Sequence, residues 1–305
     1  MVKKAIRWVI RRGLAWLREG DAPVSSTLAL PPNTAYERLN PLFIELTGMP
    51  RSRPHFAWGI LFAANMAKAL KIDRISAIEF GVAGGNGLVS MEETAVAIGK
   101  RLGIQIDVFG FDTGKGLPRP TDYRDLPNIF REGTLAMDQE RLRKRLKTAR
   151  LILGPVEETI GTFIDSRPAP VGFVSFDLDY YSSTMHAFKL LDANDSILLP
   201  RIHCYLDDVL GFTYSEFTGE RLAVAEFNER HAMRKISPIF GLNHFVPAPH
   251  NRAVWHEQMF LAHIFDHRLY GEYDGLIESY DPQGFSLVED DHETRAAASV
   301  RERSA

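Results

Sequence analysis

Two pairs of acidic side chains follow apolar runs that are typical of buried strands. Asp177 and Asp179 come directly after one such run, and Asp207 and Asp208 come directly after the next predicted strand. Because neighbouring parallel strands end at the same edge of a sheet, we expect the four carboxylates to lie close together. Carboxylates crowded in this way repel one another unless a cation or protons neutralise them. Oxygen ligands alone favour Mg²⁺ or a similar hard cation over zinc. The alternative is that some of these acids are solvated loop residues or helix N-caps.

A glycine-rich turn follows the apolar run Ile75–Phe80 and precedes a helix-like segment. Glu79 stands near the end of the run, and Gly81, Gly85 and Gly87 belong to the turn. Glycines allow the backbone to turn sharply and to approach a ligand where a Cβ atom would collide. The order of strand, glycine turn and helix predicts the opening unit of a nucleotide- or nucleoside-binding α/β domain.

The spacing of these glycines does not fit the dinucleotide fingerprint G-x-G-x-x-G. It breaks at Ala83 when counted from the first glycine, and at Ser90 when counted from Gly85. A pyrophosphate ligand is therefore disfavoured, and with it a dehydrogenase that has a variant dinucleotide loop. Glu79 suits a cationic ligand, and Asp112, at the end of the second predicted strand, can accept both hydroxyls of a ribose. These residues together describe a site for a cationic nucleoside.

Predicted strands and helices alternate along most of the chain. The strands are expected at Ile75–Phe80, Gln105–Phe111, Ala149–Leu153, Val171–Phe176, Arg201–Leu206, Lys235–Phe240 and Glu257–Phe265. The helices are expected at Tyr36–Leu46, Phe56–Leu70, Leu88–Leu102, Gln139–Thr148, Met185–Leu191 and Gly219–His231. Such alternation predicts an α/β fold with a doubly wound, mostly parallel, Rossmann-like sheet. The last two strands have no long helix between them, which indicates an antiparallel edge hairpin.

The composition is that of a globular protein with a full core and no strong charge. Of the 305 residues, 45% are hydrophobic and 25% are charged, and the net charge is −3. No basic field therefore points to a nucleic-acid partner. Cys204 is the only cysteine, which excludes internal disulfides and cysteine zinc sites and fits a cytoplasmic location. We expect it to be a buried core residue, since it lies in a predicted strand. No apolar run reaches the roughly 18 residues that a membrane span needs.

The two ends of the chain are expected to lie outside the α/β domain. Residues 1–20 mix basic side chains with apolar ones, including two tryptophans, so a helix there could contact an anionic membrane surface. It could equally dock on its own domain or on a partner subunit. The proline-rich arm 21–54 could cross to a neighbour in a homo-oligomer. The tail 288–305 is charged and aperiodic, which predicts disorder.

The motifs together resemble those of class I S-adenosylmethionine (SAM)-dependent methyltransferases. Residues 79–87 resemble the first motif of that class, and Asp112 resembles its ribose-binding acid. A narrower resemblance, to the macrocin-type sugar O-methyltransferases, rests on three further stretches in the same order: GFDTGKGLP at 110–118, DLDYYSST at 177–184 and LDD at 206–208. The resemblance covers residues 53–265. Gly114 and Val209 stand where that family has aromatic residues, which leaves the acceptor open.

This resemblance implies a role for each of the candidate residues. It implies that residues 53–287 form a methyltransferase domain, preceded by a helical arm at 1–52. The residues expected to bind SAM are Glu79, Gly81, Gly85, Gly87, Asp112, Thr113 and Glu157. It further implies that Asp177, Asp207 and Asp208 hold Mg²⁺ and that Asp179 is the general base. The substrate would be a hydroxylated small molecule, such as a sugar or polyol. The alternative is a non-catalytic SAM-binding protein that acts at a membrane surface through residues 1–20.

Overall fold

The computed structural model describes residues 35–211, 215–272 and 274–276. The predicted membrane-contacting helix at 1–20 and the predicted tail at 288–305 lie outside the described residues. The part of the arm that is described forms a helix, as the sequence predicts, from Ala35 to Thr47. Across the described ranges, no helix is both long enough and apolar enough to cross a membrane.

The described strands form one seven-stranded sheet with the order β3-β2-β1-β4-β5-β7-β6. The strands are β1 Arg74–Phe80, β2 Gln105–Asp112, β3 Arg150–Leu153, β4 Val171–Phe176, β5 Leu198–Leu206, β6 Arg234–Pro238 and β7 Met259–Ile264. Strands β1 to β5 pair in parallel, whereas β7 pairs antiparallel with both β5 and β6. The predicted doubly wound sheet with an antiparallel edge pair is thus confirmed. The structure adds that the last strand in sequence is inserted beside β5.

Helices cover both faces of this sheet. They are α1 Ala35–Thr47, α2 Pro54–Ala69, α3 Asn86–Leu102, α4 Gln139–Arg145, α5 Val156–Asp165, α6 Tyr181–Ala187 and α7 Gly219–Arg230. One apolar cluster packs α1, α2 and α3 on one face, and a second packs α5, α6 and α7 on the other. Every residue of β4 is buried between the two layers, which explains its uninterrupted apolar sequence.

Helix α2 packs closely against the centre of the sheet because it carries a glycine at the crossing point. A Cβ atom on Gly59 would lie 2.3 Å from Cε2 of Phe173 on β4. Eleven of the 16 residues of α2 are buried, so its hydrophobic surface surrounds the helix instead of forming one stripe. This packing fixes the start of α2, and with it Arg53 and His55, beside the carboxyl ends of the strands.

Three helices differ from the sequence prediction. Helix α5 was not predicted, although Val156, Ile160 and Phe163 have helical spacing and are all buried. Helix α6 begins four residues before the predicted Met185, and a 3₁₀ helix, Phe188–Asp192, continues it. Helix α4 ends at Arg145, three residues early. There the backbone N–H groups of Lys147, Thr148 and Ala149 turn to donate to the Glu92 carboxylate.

Candidate functional site

A cavity opens at the carboxyl edge of the sheet, between the ends of β1, β2, β3 and β4. Its lining combines the glycine turn, the loop after β2, the start of α5 and the acidic segment after β4. The lining residues are Gly81, Ala83, Asp112, Thr113, Gly116, Leu117, Pro118, Leu135, Pro155, Val156, Glu157, Asp177, Leu178, Asp179 and Ser183. This is the position at which open α/β sheets bind ligands. The glycine turn and the acidic segment after β4, which are about 100 residues apart in the sequence, therefore share one cavity.

The glycine turn is shaped by close backbone contacts. Gly81 has a φ of 85°, and a Cβ atom there would lie 1.7 Å from the carbonyl oxygen of Asp177. Gly85 has a φ of 82° at the start of α3, and its Cβ would lie 2.3 Å from Cδ1 of Leu142. Only glycine fits the first position without moving the end of β4.

Glu79 lies beneath the first turn of α3 and does not line the cavity. A Cβ atom on Gly87 would lie 1.8 Å from Oε1 of Glu79, so this glycine makes room for the acid. The side chain of Glu79 is buried, and its Oε2 atom has no hydrogen-bond partner. Burial raises the pKa of Glu79 well above its ordinary value, and the charge of Arg53 opposes that rise. Glu79 thus supports the turn from below, and Gly85 and Gly87 are parts of the turn that do not line the cavity.

Arg53 is a cation at this edge that the sequence analysis did not single out. Its Nη1 atom would lie 3.1 Å from a Cβ on Gly87, and its guanidinium lies 5.3 Å from the ring centre of Phe56. Its charge acts to lower the pKa of both Glu79 and Asp177. No local sequence pattern marks it, because it approaches these acids only through the packing of α2.

Asp112 joins the glycine turn to the loop after β2. Its Oδ2 atom accepts a hydrogen bond of 2.8 Å from the Ala83 N–H, and its Oδ1 atom accepts one of 2.6 Å from the Gly114 N–H. Each carboxylate oxygen keeps a further lone pair, so both can still accept a ligand hydroxyl. Asp112 therefore lies in the cavity wall with the acceptor capacity that ribose binding needs.

The two other predicted SAM contacts differ in what their side chains do. Thr113 donates its hydroxyl to the Gly116 carbonyl at 2.6 Å and accepts from the Lys115 N–H, so that hydroxyl closes its own turn. Glu157 lies in the first turn of α5, where its side chain is exposed and lines the cavity. Glu157 is thus available to a ligand through its carboxylate, whereas the hydroxyl of Thr113 is already used.

The acids after β4 and β5 come together as the sequence predicts. The Asp179 N–H donates to Oδ2 of Asp208 at 3.0 Å, which ties the two strand ends to each other. Burial raises the pKa of Asp177 well above its ordinary value, and the charges of Asp207, Asp208 and Asp179 raise it further. Burial, followed by Asp208 and Asp207, raises the pKa of Asp179 to about 7. The carboxylates after β4 and β5 therefore lie close enough to repel one another when they are ionised.

Asp179 has a backbone conformation that non-glycine residues rarely adopt. Its φ is 60°, in the left-handed region, and its side chain is only 9% exposed. Such a conformation costs on the order of 1–3 kcal/mol and persists only where the surroundings impose it. Here the hydrogen bond to Asp208 and the start of α6 at Tyr181 impose it. Strain of this kind concentrates at functional sites, which agrees with the role predicted for Asp179.

Asp207 is positioned by residues that the sequence analysis missed. The Tyr205 hydroxyl donates to its Oδ1 atom at 2.6 Å, and the Gln258 amide donates to its backbone carbonyl at 2.7 Å. The His55 ring stacks on Tyr205 with ring centres 3.9 Å apart. Tyr205 lies on β5 itself, but His55 comes from α2 and Gln258 from the 3₁₀ turn before β7, so no motif around Asp207 could reveal those two residues.

Glu220 is a fifth acid in the same cluster. It lies in the first turn of α7 with no exposed surface, and its Oε2 atom accepts from the Asp208 N–H at 2.9 Å. Its Oε1 atom has no hydrogen-bond partner, and burial raises its pKa well above its ordinary value. Acids are common in the first turns of helices, so its position in the sequence carried no signal.

The predicted magnesium ligands do not form a ready metal cage. Within the described ranges, no three Asp, Glu, His or Cys side chains converge closely enough to hold a metal ion. Instead, the Asp207 carboxylate accepts from Tyr205, and the Asp208 carboxylate accepts from the Asp179 backbone. The chemistry of the set still fits a hard cation, because every donor is a carboxylate and their charges repel. The residues therefore fit the ion in kind, although two of the three carboxylates already accept hydrogen bonds from the protein.

Comparison with known proteins gives weak likenesses only. The sequence matches no protein-family model and no curated protein. Among solved structures, the O-methyltransferase NovP is 15% identical, with 60% of this chain and 75% of that chain covered and a TM-score of 0.45. The calicheamicin methyltransferase CalS11 is 18% identical, with coverages of 75% and 90% and a TM-score of 0.44. An O-methyltransferase from Bacillus cereus in complex with SAH is 11% identical, with coverages of 79% and 94% and a TM-score of 0.37. At these levels the function has to be argued from the site itself.

Proposed function

We propose that this protein is a SAM-dependent O-methyltransferase that acts on a hydroxyl of a sugar or polyol-containing small molecule. One observation carries the proposal: the same cavity is lined by Gly81 and Asp112, which follow β1 and end β2, and by Asp177 and Asp179, which follow β4. A donor held at the first pair would face an acceptor held at the second. Methyl transfer needs this juxtaposition, because in-line placement of donor and acceptor lowers much of the barrier.

The donor half suits a nucleoside that carries a positive charge. Asp112 offers both carboxylate oxygens to the ribose hydroxyls, and Glu157 lies at the strand end where we expect the adenine. The sulfonium group would lie near the acids after β4, and its positive charge would favour their ionised form. When bound, SAM supplies the electrophilic methyl group. The protein contributes the turn at Gly81, whose missing side chain lets the ends of β1 and β4 approach each other beside the cavity.

The acceptor half suits removal of a proton from a hydroxyl. Asp179 lines the cavity and its pKa is raised to about 7, so it can accept a proton near neutral pH. The hydrogen bond from its backbone N–H to the Asp208 carboxylate holds its left-handed backbone in place at the cavity. We therefore assign Asp179 as the general base.

We further propose that Asp177, Asp207 and Asp208 hold a divalent cation such as Mg²⁺. Support comes from the oxygen-only donor set and from the raised pKa of Asp177, which burial and then the charges of Asp207 and Asp208 cause. A bound ion would neutralise part of this charge and stabilise the alkoxide of the acceptor. The competing arrangement is that the acids share protons and need no metal. No observation on the described residues favours the alternative of a non-catalytic SAM-binding protein at a membrane.

An acceptor screen tests the proposal. The full chain is incubated with SAM and a panel of hydroxylated small molecules, with and without a chelator, and S-adenosylhomocysteine is quantified. We expect turnover with at least one acceptor. Asp179→Asn should lower kcat by about 10²–10⁴-fold, because general-base catalysis contributes that much. The matched control is Asp165→Asn, which removes an exposed acid at the end of α5 and should keep wild-type activity.

Three results of this screen would count against parts of the proposal. Full activity of Asp179→Asn would remove the base assignment. Activity that is unchanged by the chelator would remove the metal. Binding of SAM by the wild type without any turnover across a broad panel of hydroxylated acceptors would contradict the proposed acceptor class.

A further inference from the structure

A flap, residues 119–135, follows the loop after β2, and its last residue, Leu135, lines the cavity. Its base is held by paired backbone hydrogen bonds: Leu117 N–H donates to the Thr134 carbonyl at 2.8 Å, and Gly133 N–H donates to the Leu117 carbonyl at 2.9 Å. The cavity is lined by Leu117 and Pro118, which directly precede the flap, and by Leu135 at its end. The base of the flap is therefore an ordered part of the cavity wall.

Three consecutive residues after Asp179 each hold a different part of the flap and its base. The Tyr180 hydroxyl donates to the Pro118 carbonyl at 3.1 Å. The Tyr181 ring lies 4.3 Å from the guanidinium of Arg124. Ser182 donates twice to a carboxylate on the flap, through its backbone N–H at 2.8 Å and its hydroxyl at 2.9 Å. The acidic motif after β4 thus also binds the flap.

The flap carboxylate at the centre of these contacts is Asp125. It has no exposed surface, although it lies in a short 3₁₀ helix of a polar loop. Besides the two bonds from Ser182, it accepts from the N–H of Thr121 at 2.8 Å and from its hydroxyl at 2.6 Å. A buried carboxylate with four donors on two segments is a strong cross-link, because removing it would leave four donors without their partner.

We propose that Asp125 is a positioning residue: by joining the flap to Ser182, it holds the segment Tyr180–Ser182 and, through it, Asp179 in the conformation that faces the cavity. The reason is chain continuity. The strained backbone of Asp179, with its φ of 60°, directly precedes this segment, so loss of the anchor lets that backbone relax. Asp125 itself does not line the cavity, so it acts through its neighbours. The catalytic part of this inference rests on the proposed function.

Hydrogen–deuterium exchange on the full chain tests the anchor without any substrate. In Asp125→Asn, the peptides that cover 119–126 and 180–184 should exchange about tenfold faster or more than in the wild type. The matched control is Glu132→Gln, which removes one charge from an exposed position on the same flap and should leave both peptides unchanged. If Asp125→Asn does not fold, Ser182→Ala removes one of the four bonds and should accelerate the same peptides. Equal exchange in the variants and the wild type would overturn the proposal.

Kinetics and calorimetry then separate positioning from a purely structural role. For Asp125→Asn we expect kcat to fall about tenfold or more, while the Kd for SAM stays within about twofold. Faster exchange with an unchanged kcat would overturn the positioning role. A wild-type protein that transfers no methyl group would instead contradict the proposed function, and the exchange comparison would still decide whether Asp125 anchors the flap.

Discussion

Replacing Gly81 with alanine should damage both the fold and the predicted donor site. The new Cβ atom would lie 1.7 Å from the carbonyl oxygen of Asp177 and 2.7 Å from its carbonyl carbon. Both atoms belong to the backbone, so no side-chain rotation can relieve the clash. The end of β1 and the end of β4 would have to move apart, and Asp177 and Asp179 would move with the second of them.

The size of the effect can be worked from two contributions. An L-residue in the left-handed region costs roughly 1–2 kcal/mol, and the φ of Gly81 is 85°. Overpacking in a close-packed region costs about 1–3 kcal/mol more. The free energy of unfolding should therefore fall by about 2–5 kcal/mol.

The matched control is Gly84→Ala in the same turn, where a Cβ atom would meet nothing within 4 Å. That substitution should change the stability by about 0.5 kcal/mol at most, as is usual for an unconstrained surface position.

Urea denaturation of the two variants, followed by titration with SAM, measures both consequences. We expect Gly81→Ala to unfold at a lower urea concentration and to bind SAM at least tenfold more weakly, while Gly84→Ala behaves like the wild type. If Gly81→Ala were as stable as Gly84→Ala and bound SAM equally well, the assignment of this turn as the donor site would be refuted.

Three further substitutions or conditions test other parts of the site. Asp112→Asn should raise the Kd for SAM about tenfold or more in calorimetry, because a charged acceptor of two backbone N–H groups is lost. The raised pKa of Asp179, about 7 against an ordinary 3.8, predicts that kcat increases with pH through about 7, since the base must be deprotonated. The same shift means that the folded protein holds this proton more tightly than the unfolded chain does. The free energy of unfolding should therefore decrease as the pH rises from about 4 to about 7 in urea titrations, and a flat profile would contradict the shift. Cys204 is fully buried and its pKa is raised to about 12, so a thiol reagent should react with it only after unfolding.

The sheet and the strand-end acids could be predicted because local patterns determine them. Runs of buried apolar residues such as Val171–Phe176 mark central strands, and their carboxyl ends carry Asp112 and Asp177. Parallel pairing then brings these ends to one edge without further information. For the same reason, the common cavity of Gly81, Asp112 and Asp179 follows from the order of motifs along the chain.

The supporting residues could not be predicted, because tertiary packing alone brings them to the site. Glu220 reaches Asp208 from α7, and Arg53 approaches Glu79 only because α2 packs on the sheet. Asp125 lies in a polar loop, and nothing in that composition indicates that its carboxylate is buried. Helix α5 is a different case, because the helical spacing of Val156, Ile160 and Phe163 is readable from the sequence.

A calorimetric titration of the full chain with SAM, with NAD as the comparison ligand, tests the central claim most directly. The cavity beside Gly81 and Asp112 predicts saturable binding of SAM and no binding of NAD, whose pyrophosphate the glycine spacing does not suit. Binding of NAD with no binding of SAM would contradict the donor site and, with it, the proposed methyl transfer.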